Sequence, residues 1–357
     1  GEGHTVMPIS FGDFIYSLTA NFALLITVIL TLGVIFVNGW IDAPNAIATC
    51  VATRSLSIRK AILLAAVFNF LGVFVMTTVN SQVAQTIYHM VDFRGDAGEA
   101  LMALCAAMFA IIIWAVAAWK FGIPTSEGHA LIAGLSGAAI ALQHGFSGIH
   151  GSEWIKVIYG LVLSVLFGFA GGFACDRITE RLFRNADRRT ATPFFEKAQV
   201  ASAAALAFMH GAQDGQKFMA VLLLGVSLVQ GDGALAALAI PFWLMLLCSA
   251  VMAAGTVIGG RRIIKTIGMD MVKLEPYQGF SADSAAALSL LLASAFGLPV
   301  STTHTKTTAV MGVGAARRIS GVKWNLAEEM AATWILTFPG CCVVGYVMAF
   351  VFLEVFH

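Results

Sequence analysis

Charge is what this chain has least of. Only 11% of its 357 residues are Asp, Glu, Lys or Arg, and the two signs nearly cancel to a formal +1. A soluble domain carries about 25% charged residues, so water is not the main solvent, and the sparse, balanced charge argues against a nucleic-acid surface. The six cysteines, Cys50, Cys105, Cys175, Cys248, Cys341 and Cys342, are scattered through apolar sequence with no paired metal spacing, which excludes a disulfide framework or a structural zinc site. No nucleophile elbow, Walker loop or metal-spaced cluster is present, so an enzyme is not expected and no cofactor is called for.

What is there is apolar sequence, 59% of the chain. Runs near the length that crosses a bilayer as helix recur at 22–37, 61–79, 100–119, 157–175, 235–258 and 331–352. They are continuous rather than alternating, which selects helices over barrel strands in the lipid bilayer. The expected fold is an all-α polytopic membrane protein of about 10–12 segments. Residues 1–6, ahead of Met7, read as a scar of cloning within an N-terminal segment 1–19, and no cleavable signal peptide is evident.

Comparing the chain with itself divides the rest. Phe121-Gly122-Ile123-Pro124-Thr125-Ser126-Glu127-Gly128-His129 aligns with Phe296-Gly297-Leu298-Pro299-Val300-Ser301-Thr302-Thr303-His304 at an offset of 175 positions. Asn38-Gly39-Trp40-Ile41-Asp42 aligns with His210-Gly211-Ala212-Gln213-Asp214 at an offset of 172. Two unrelated motifs in the same order imply a first membrane repeat at 20–175, a basic linker at 176–197 and a second repeat at 198–357. Equivalent loops carry opposite charge: Arg54, Arg59 and Lys60 face a neutral stretch after Gln230, whereas Asp92, Asp96 and Glu99 correspond to Arg261, Arg262, Lys265 and Lys273. With Lys and Arg on the cytoplasmic side, the repeats are expected to be inverted, with the linker inside as a solvated loop and both termini outside.

Each half is expected to contain a broken helix and a re-entrant hairpin. The segment 21–53 would be about 50 Å long as one helix at about 1.5 Å per residue, so a break is placed at 38–45 and a matching one at 211–215. Asp42 and Asp214 sit at these breaks, where a buried carboxylate needs a partner. With Asn45 and Gln213 they offer hard oxygens for a small coupling cation, and capping of the following helix is the alternative. The Gly-x-Pro sequences at 122–124 and 297–299 mark the hairpin tips. Helices starting there present free N–H groups beside the hydroxyls of Thr125, Ser126, Ser301, Thr302 and Thr303, a cradle for a tetrahedral oxyanion. His129 and His304 read as packing residues that orient the tips, with a proton-linked role open. Lys217 either pairs with Asp214 or attracts the anion, and Lys306 has the same two readings.

These motifs, with Ala65-Ala66-Val67-Phe68-Asn69-Phe70-Leu71-Gly72 and His210-Gly211-Ala212-Gln213-Asp214-Gly215-Gln216-Lys217, resemble the inorganic phosphate transporter (Pit/PiT) family, nearest to its bacterial low-affinity branch. The resemblance runs from about residue 21 to the C-terminus. It implies cation-coupled import of inorganic phosphate, with H+ or Na+ as the coupling ion and a divalent cation carried with phosphate in some members. It implies phosphate contacts at Ser126, Ser301, Thr302 and Thr303 and cation or coupling positions at Asp42, Asn45 and Asp214. The residues themselves add Thr125, Asn45 and Gln216 as further phosphate candidates and Gln213 and Glu127 as further coupling candidates. A cell-membrane location follows, and a homodimer is compatible with it. Two departures stand out: Gln213 replaces the usual Asn, and Glu127-Gly128 replaces hydroxyl residues at the first tip. An acid beside a bound anion must be protonated or metal-paired, unless it turns away to a base such as Lys120. Sulfate or another oxyanion as cargo, or an anion channel, are the competing functions.

Overall fold

The computed structural model describes residues 9–93, 95–121, 125–230, 240–258, 264–265 and 270–355. The first tip's Gly-x-Pro at 122–124, the neutral loop after Gln230, the start of the apolar run at 235–258, and Arg261 and Arg262 lie outside them. Within the described residues, regular structure is helical apart from an isolated bridge between Val91 and Ile149. The helices are α1 (Phe11–Ala20), α2 (Phe22–Ile41), α3 (Ala48–Ala52), α4 (Ile58–Val79), α5 (Gln82–Met90), α6 (Ala97–Phe121) and α7 (Glu127–Gln143). There follow α8 (Gly151–Leu182), α9 (Arg188–Gln230), α10 (Phe242–Ile258), α11 (Pro276–Ala295), α12 (Thr302–Arg317) and α13 (Trp324–Val355).

Among the described residues, five stretches are long and apolar enough to cross a membrane: Phe22–Ala52, Ile58–Val79, Ala97–Phe121, Gly151–Leu182 and Trp324–Val355. The apolar α10 (Phe242–Ile258), whose run begins outside the described residues, is shorter, and four further helices fall outside this set for two reasons. Helices α7 and α12 have 17 and 16 residues, short of a full crossing. Helices α9 and α11 carry buried polar residues such as His210, Asp214, Lys217, Gln278 and Asp283, which lower their hydropathy because they face the interior rather than lipid.

The two breaks come out differently. Helix α2 stops at Ile41 and passes into a 3-10 turn over Ala43–Ile47 before α3. Pro44 has no N–H to donate and its ring clashes with the preceding turn, so the helix cannot continue through it. At the matching place in the second half there is no proline, and α9 runs unbroken from Arg188 to Gln230. The expected break at 211–215 is therefore absent. The linker also differs from a loop, because α8 extends to Leu182 and α9 begins at Arg188.

Packing repeats between the halves. Helix α2 packs on α10 as α9 packs on α4, and α7 packs on α13 as α12 packs on α8. The pairs α2 with α6 and α6 with α13 are likewise matched by α9 with α11 and α11 with α8. Each of the first four of these seams closes on glycine. An added Cβ would lie 2.1 Å from Met252 O at Gly39, 2.2 Å from Asn69 O at Gly211, 2.0 Å from Cys342 O at Gly137 and 2.1 Å from Phe169 O at Gly312. Residues without a Cβ let backbones meet at these depths, the device by which helices associate where lipid supplies no hydrophobic drive.

Candidate functional site

The break in α2 presents Asp42, 1% exposed, to the interior. Its carboxylate accepts from three neighbours. Asn45 Nδ2 donates to Oδ1 at 2.9 Å and Asn38 Nδ2 to Oδ2 at 3.3 Å. The third donor is the Thr303 hydroxyl, from the second tip. Asn45 also donates to Thr303 Oγ1 at 2.7 Å, so the broken helix and the second hairpin are tied at one point. Asp42 makes no side-chain capping bond to the turn that follows, which removes capping as the reason for its burial.

Asp214 projects from the continuous α9 to the same place. Asn38 Nδ2 donates to its Oδ2 at 2.9 Å, so one amide serves both carboxylates. Lys217, one turn on, donates to Asp214 Oδ1 at 2.7 Å and to the carbonyl of Val300 at 2.6 Å. The ammonium also lies 2.8 Å from where a Cβ on Gly128 would be. Lys217 thus lies against both tips, and its pairing with Asp214 is made. His210 Nε2 is 3.3 Å from Asp214 Oδ2, and its Nδ1 is 3.0 Å from Asn69 Oδ1. Ligand atoms of Asp42, His210 and Asp214 all lie within 4.8 Å of one another. That is close enough for a small cation, yet the Asn38 amide and the Lys217 ammonium already hold the group together.

The tips converge as two helix N-termini. Ser126 Oγ accepts from the His129 N–H at 3.3 Å, and Ser301 Oγ accepts from the His304 N–H at 3.1 Å. The next N–H groups, those of Glu127 and Gly128 and of Thr302 and Thr303, belong to the first turn of each helix, where the helix supplies no acceptor of its own. The hydroxyls of Thr125 and Thr302 are buried without partners. His129 and His304 meet edge to face with ring centroids 4.7 Å apart, and each is backed by an aromatic of α13: Phe338 on His129 at 4.9 Å, Trp334 on His304 at 4.0 Å. The histidines form the packed contact between the tip helices, with both ring nitrogens of His129 and Nδ1 of His304 buried without hydrogen-bond partners.

Glu127 is turned inward and is 1% exposed. Its carboxyl lies against that of Asp42, a contact between two acids that needs one proton between them, and no other side chain donates to either oxygen. The outward pairing with Lys120 is not made. Two other expected site residues are engaged elsewhere. Gln213 donates to Ser294 Oγ at 2.8 Å and to Leu298 O at 3.3 Å, and accepts from the Val300 N–H at 3.3 Å. It braces the second tip, with its amide directed there rather than at Asp214. Gln216 donates to Asn80 O at 2.7 Å and accepts from the Ala84 N–H at 3.3 Å, joining α9 to the α4–α5 junction rather than lining the tips. Asn38 and His210 were not among the expected site residues. Their signal is the repeated motif itself, whose first polar residue stands one helical turn before the aspartate and so on the same face.

Comparison with known proteins follows the same lines. The model of the phosphate transporter family matches residues 38–191 and 177–345. A probable low-affinity inorganic phosphate transporter of Bacillus subtilis (strain 168) is 36% identical over 332 residues, spanning 93% of this chain and 98% of that protein. A protein of the same description from Rhizobium meliloti (strain 1021) is 37% identical over 311 residues, spanning 87% and 90%. Among solved structures, one titled "The sodium-dependent phosphate transporter" superposes with a TM-score of 0.85 at 22% identity, over 94% of this chain and all of the other. That likeness supports the fold.

Proposed function

The chain belongs to the phosphate transporter family, and from that premise we propose that it is a proton-coupled symporter that carries inorganic phosphate between its two hairpin tips. The observation behind the proposal is the unequal outfitting of three buried carboxyls. Asp42 accepts three donors and Asp214 is paired with Lys217, whereas Glu127 has no donor from another side chain and lies against the Asp42 carboxyl. A buried carboxylate without a partner is costly, and a bound phosphate would add repulsion. Proton uptake by Glu127 removes both costs, which makes the proton and the anion travel together. Lys217 supplies a fixed positive charge at Asp214 that lessens any need for sodium there.

Phosphate would be held by the free N–H groups of both tips, the hydroxyls of Thr125, Ser126, Thr302 and Thr303, and Lys217. Hydrogen phosphate also donates a proton, and Asp42 is an acceptor within the cluster. Sulfate has no such proton, so a site with carboxylate acceptors favours phosphate. The loop charges support inverted halves in a cell membrane with the basic ends inside, and alternating access by rocking of the halves about the tips.

Radiolabelled phosphate uptake into proteoliposomes, with proton, sodium and magnesium gradients imposed separately and sulfate as competitor, tests this reading. Accumulation driven by an inward proton gradient and insensitive to sulfate is expected. Accumulation that needs sodium, or equal competition by sulfate, would contradict it.

A further inference from the structure

A second buried charge cluster lies apart from the carboxyls described above. On α12, one turn beyond Thr303, the Lys306 ammonium donates to Asp283 of α11 and to Thr49 Oγ1 of α3 at 2.9 Å. The Thr49 hydroxyl in turn faces both Asp283 oxygens, at 2.8 and 3.0 Å. All three residues are at most 1% exposed. Beyond them, toward the end of the hairpin marked by Arg317, the Thr53 and Ser55 hydroxyls both donate to Gln199 Oε1 at 2.7 Å. A ladder of polar contacts therefore leads from Asn45 and Thr303 along the seam between α3 and the second hairpin.

Among the described residues, the other half has no such ladder. By the same offsets, Asp283 and Lys306 correspond to Met108 and Leu131, and Thr49 corresponds to Val221. These three are also fully buried, and all belong to one apolar cluster. One seam is thus shut by an ion pair and a hydroxyl, and its counterpart by three apolar side chains.

We propose that Asp283, Lys306 and Thr49 form the latch of the cytoplasmic gate, while Met108, Leu131 and Val221 form the permanent-leaning seal of the opposite gate. This inference rests on the transport reading above. Parting the polar seam gives both ions back their hydration, which offsets the interaction lost. Parting the apolar seam exposes hydrocarbon to water with nothing in return. The latched seam therefore wets more readily, and the anion released from the tips next meets Lys306. Lys306 and Asp283 act as positioning residues for α3, since neither belongs to the tip cluster.

Cys50, beside Thr49, is fully buried and lies within electrostatic reach of the pair, so it reports the seam without an introduced probe. Its labelling by a membrane-impermeant thiol reagent, mapped by peptide mass spectrometry in inside-out and right-side-out vesicles, is the test. Lys306→Met strands the Asp283 carboxylate and is expected to speed Cys50 labelling about tenfold, from the inner face only. Thr49→Val with Asp283→Met and Lys306→Leu installs the apolar triad of the other half and leaves no buried charge, so it keeps the test open if the single variant does not fold. Labelling in this triple variant is expected to fall below wild type. Equal labelling of Cys50 in wild type and the triple variant, or labelling from the outer face, would overturn the latch. Phosphate uptake is read in the same wild-type vesicles: uptake with indifferent labelling sinks the latch alone, and no uptake sinks the transport reading with it.

Discussion

The two halves put the same motifs to unlike ends. In the first, Pro44 opens the helix after Asp42, and the tip carries Glu127, whose carboxyl lies against Asp42 with no cation paired to it. In the second, α9 runs unbroken past Asp214, which is paired with Lys217, and the tip offers hydroxyls, one of them bonded to Asp42. The first half carries an acid that no cation pairs with, and the second carries an acid held by its own lysine. A duplicated fold can thus keep its packing symmetric while its chemistry is not.

Substitutions can break this contrast, beginning with the pair on α9. Lys217→Met leaves Asp214 buried beside Asp42 with its main counter-charge gone. A loss of about 3–5 kcal/mol is expected for removing one partner of a buried pair, read as a drop in thermal unfolding temperature in detergent together with loss of uptake. Lys217→Met combined with Asp214→Asn should recover most of the stability and none of the transport. Recovery of both would show that the pair serves folding alone.

A smaller effect of about 3 kcal/mol is expected from moving the break, because Gln216→Pro places in α9 the residue that opens the first half. The converse, Pro44→Ala, should leave the fold intact and lower uptake, by letting helix invade the turn that carries Asn45. If Pro44→Ala transports normally, the break is not what sets Asp42 and Asn45 in place.

Smaller still, at about 1–3 kcal/mol, are the seam glycines, where an added methyl overpacks a backbone contact. Gly137→Ala and Gly312→Ala occupy corresponding seams, with Cβ clashes of 2.0 and 2.1 Å. Equal losses of thermal stability are expected from the two, since the packing is symmetric even where the site is not. Unequal losses would confine the symmetry to the chain trace.

The smallest expected change separates the tips. Thr303→Val removes a donor to Asp42 and should lower uptake about tenfold, the effect of one charge-assisted hydrogen bond of about 1.5 kcal/mol. Thr303→Ser should restore it. Thr125→Val at the first tip removes a hydroxyl with no partner in this state and should affect phosphate affinity without altering stability, measured by uptake kinetics and thermal unfolding side by side.

Much of this was legible from local chemistry. Pro44 marks its break because a missing N–H acts on its own helix, and Ser126 and Ser301 mark their tips because capping reaches only three residues ahead. The failures came where a residue's partner lies on another helix. Gly211 and Gly215 suggested a second break, but they are small so that α4 can approach: Asn69 O and a Val73 methyl lie 2.2 and 2.5 Å from where their Cβ atoms would be. Gln213 looked like a cation ligand by its place before Asp214, yet its amide is taken by Ser294, Leu298 and Val300. The Asp283–Lys306 pair joins two helices of one hairpin across 23 positions, and Thr49 closes it from a third element. No spacing rule along one helix could reveal that.

The central claim is that Glu127 couples the proton to phosphate. It is tested most directly by phosphate accumulation in sodium-free proteoliposomes under an imposed inward proton gradient, comparing wild type with Glu127→Gln across external pH. Wild type should accumulate phosphate above equilibrium, faster at acid pH because the protonated carboxyl is the form that accepts the anion. Glu127→Gln, which is permanently uncharged, should exchange phosphate at a rate independent of pH and accumulate none. Proton-driven accumulation by Glu127→Gln with the wild-type pH profile would contradict the account.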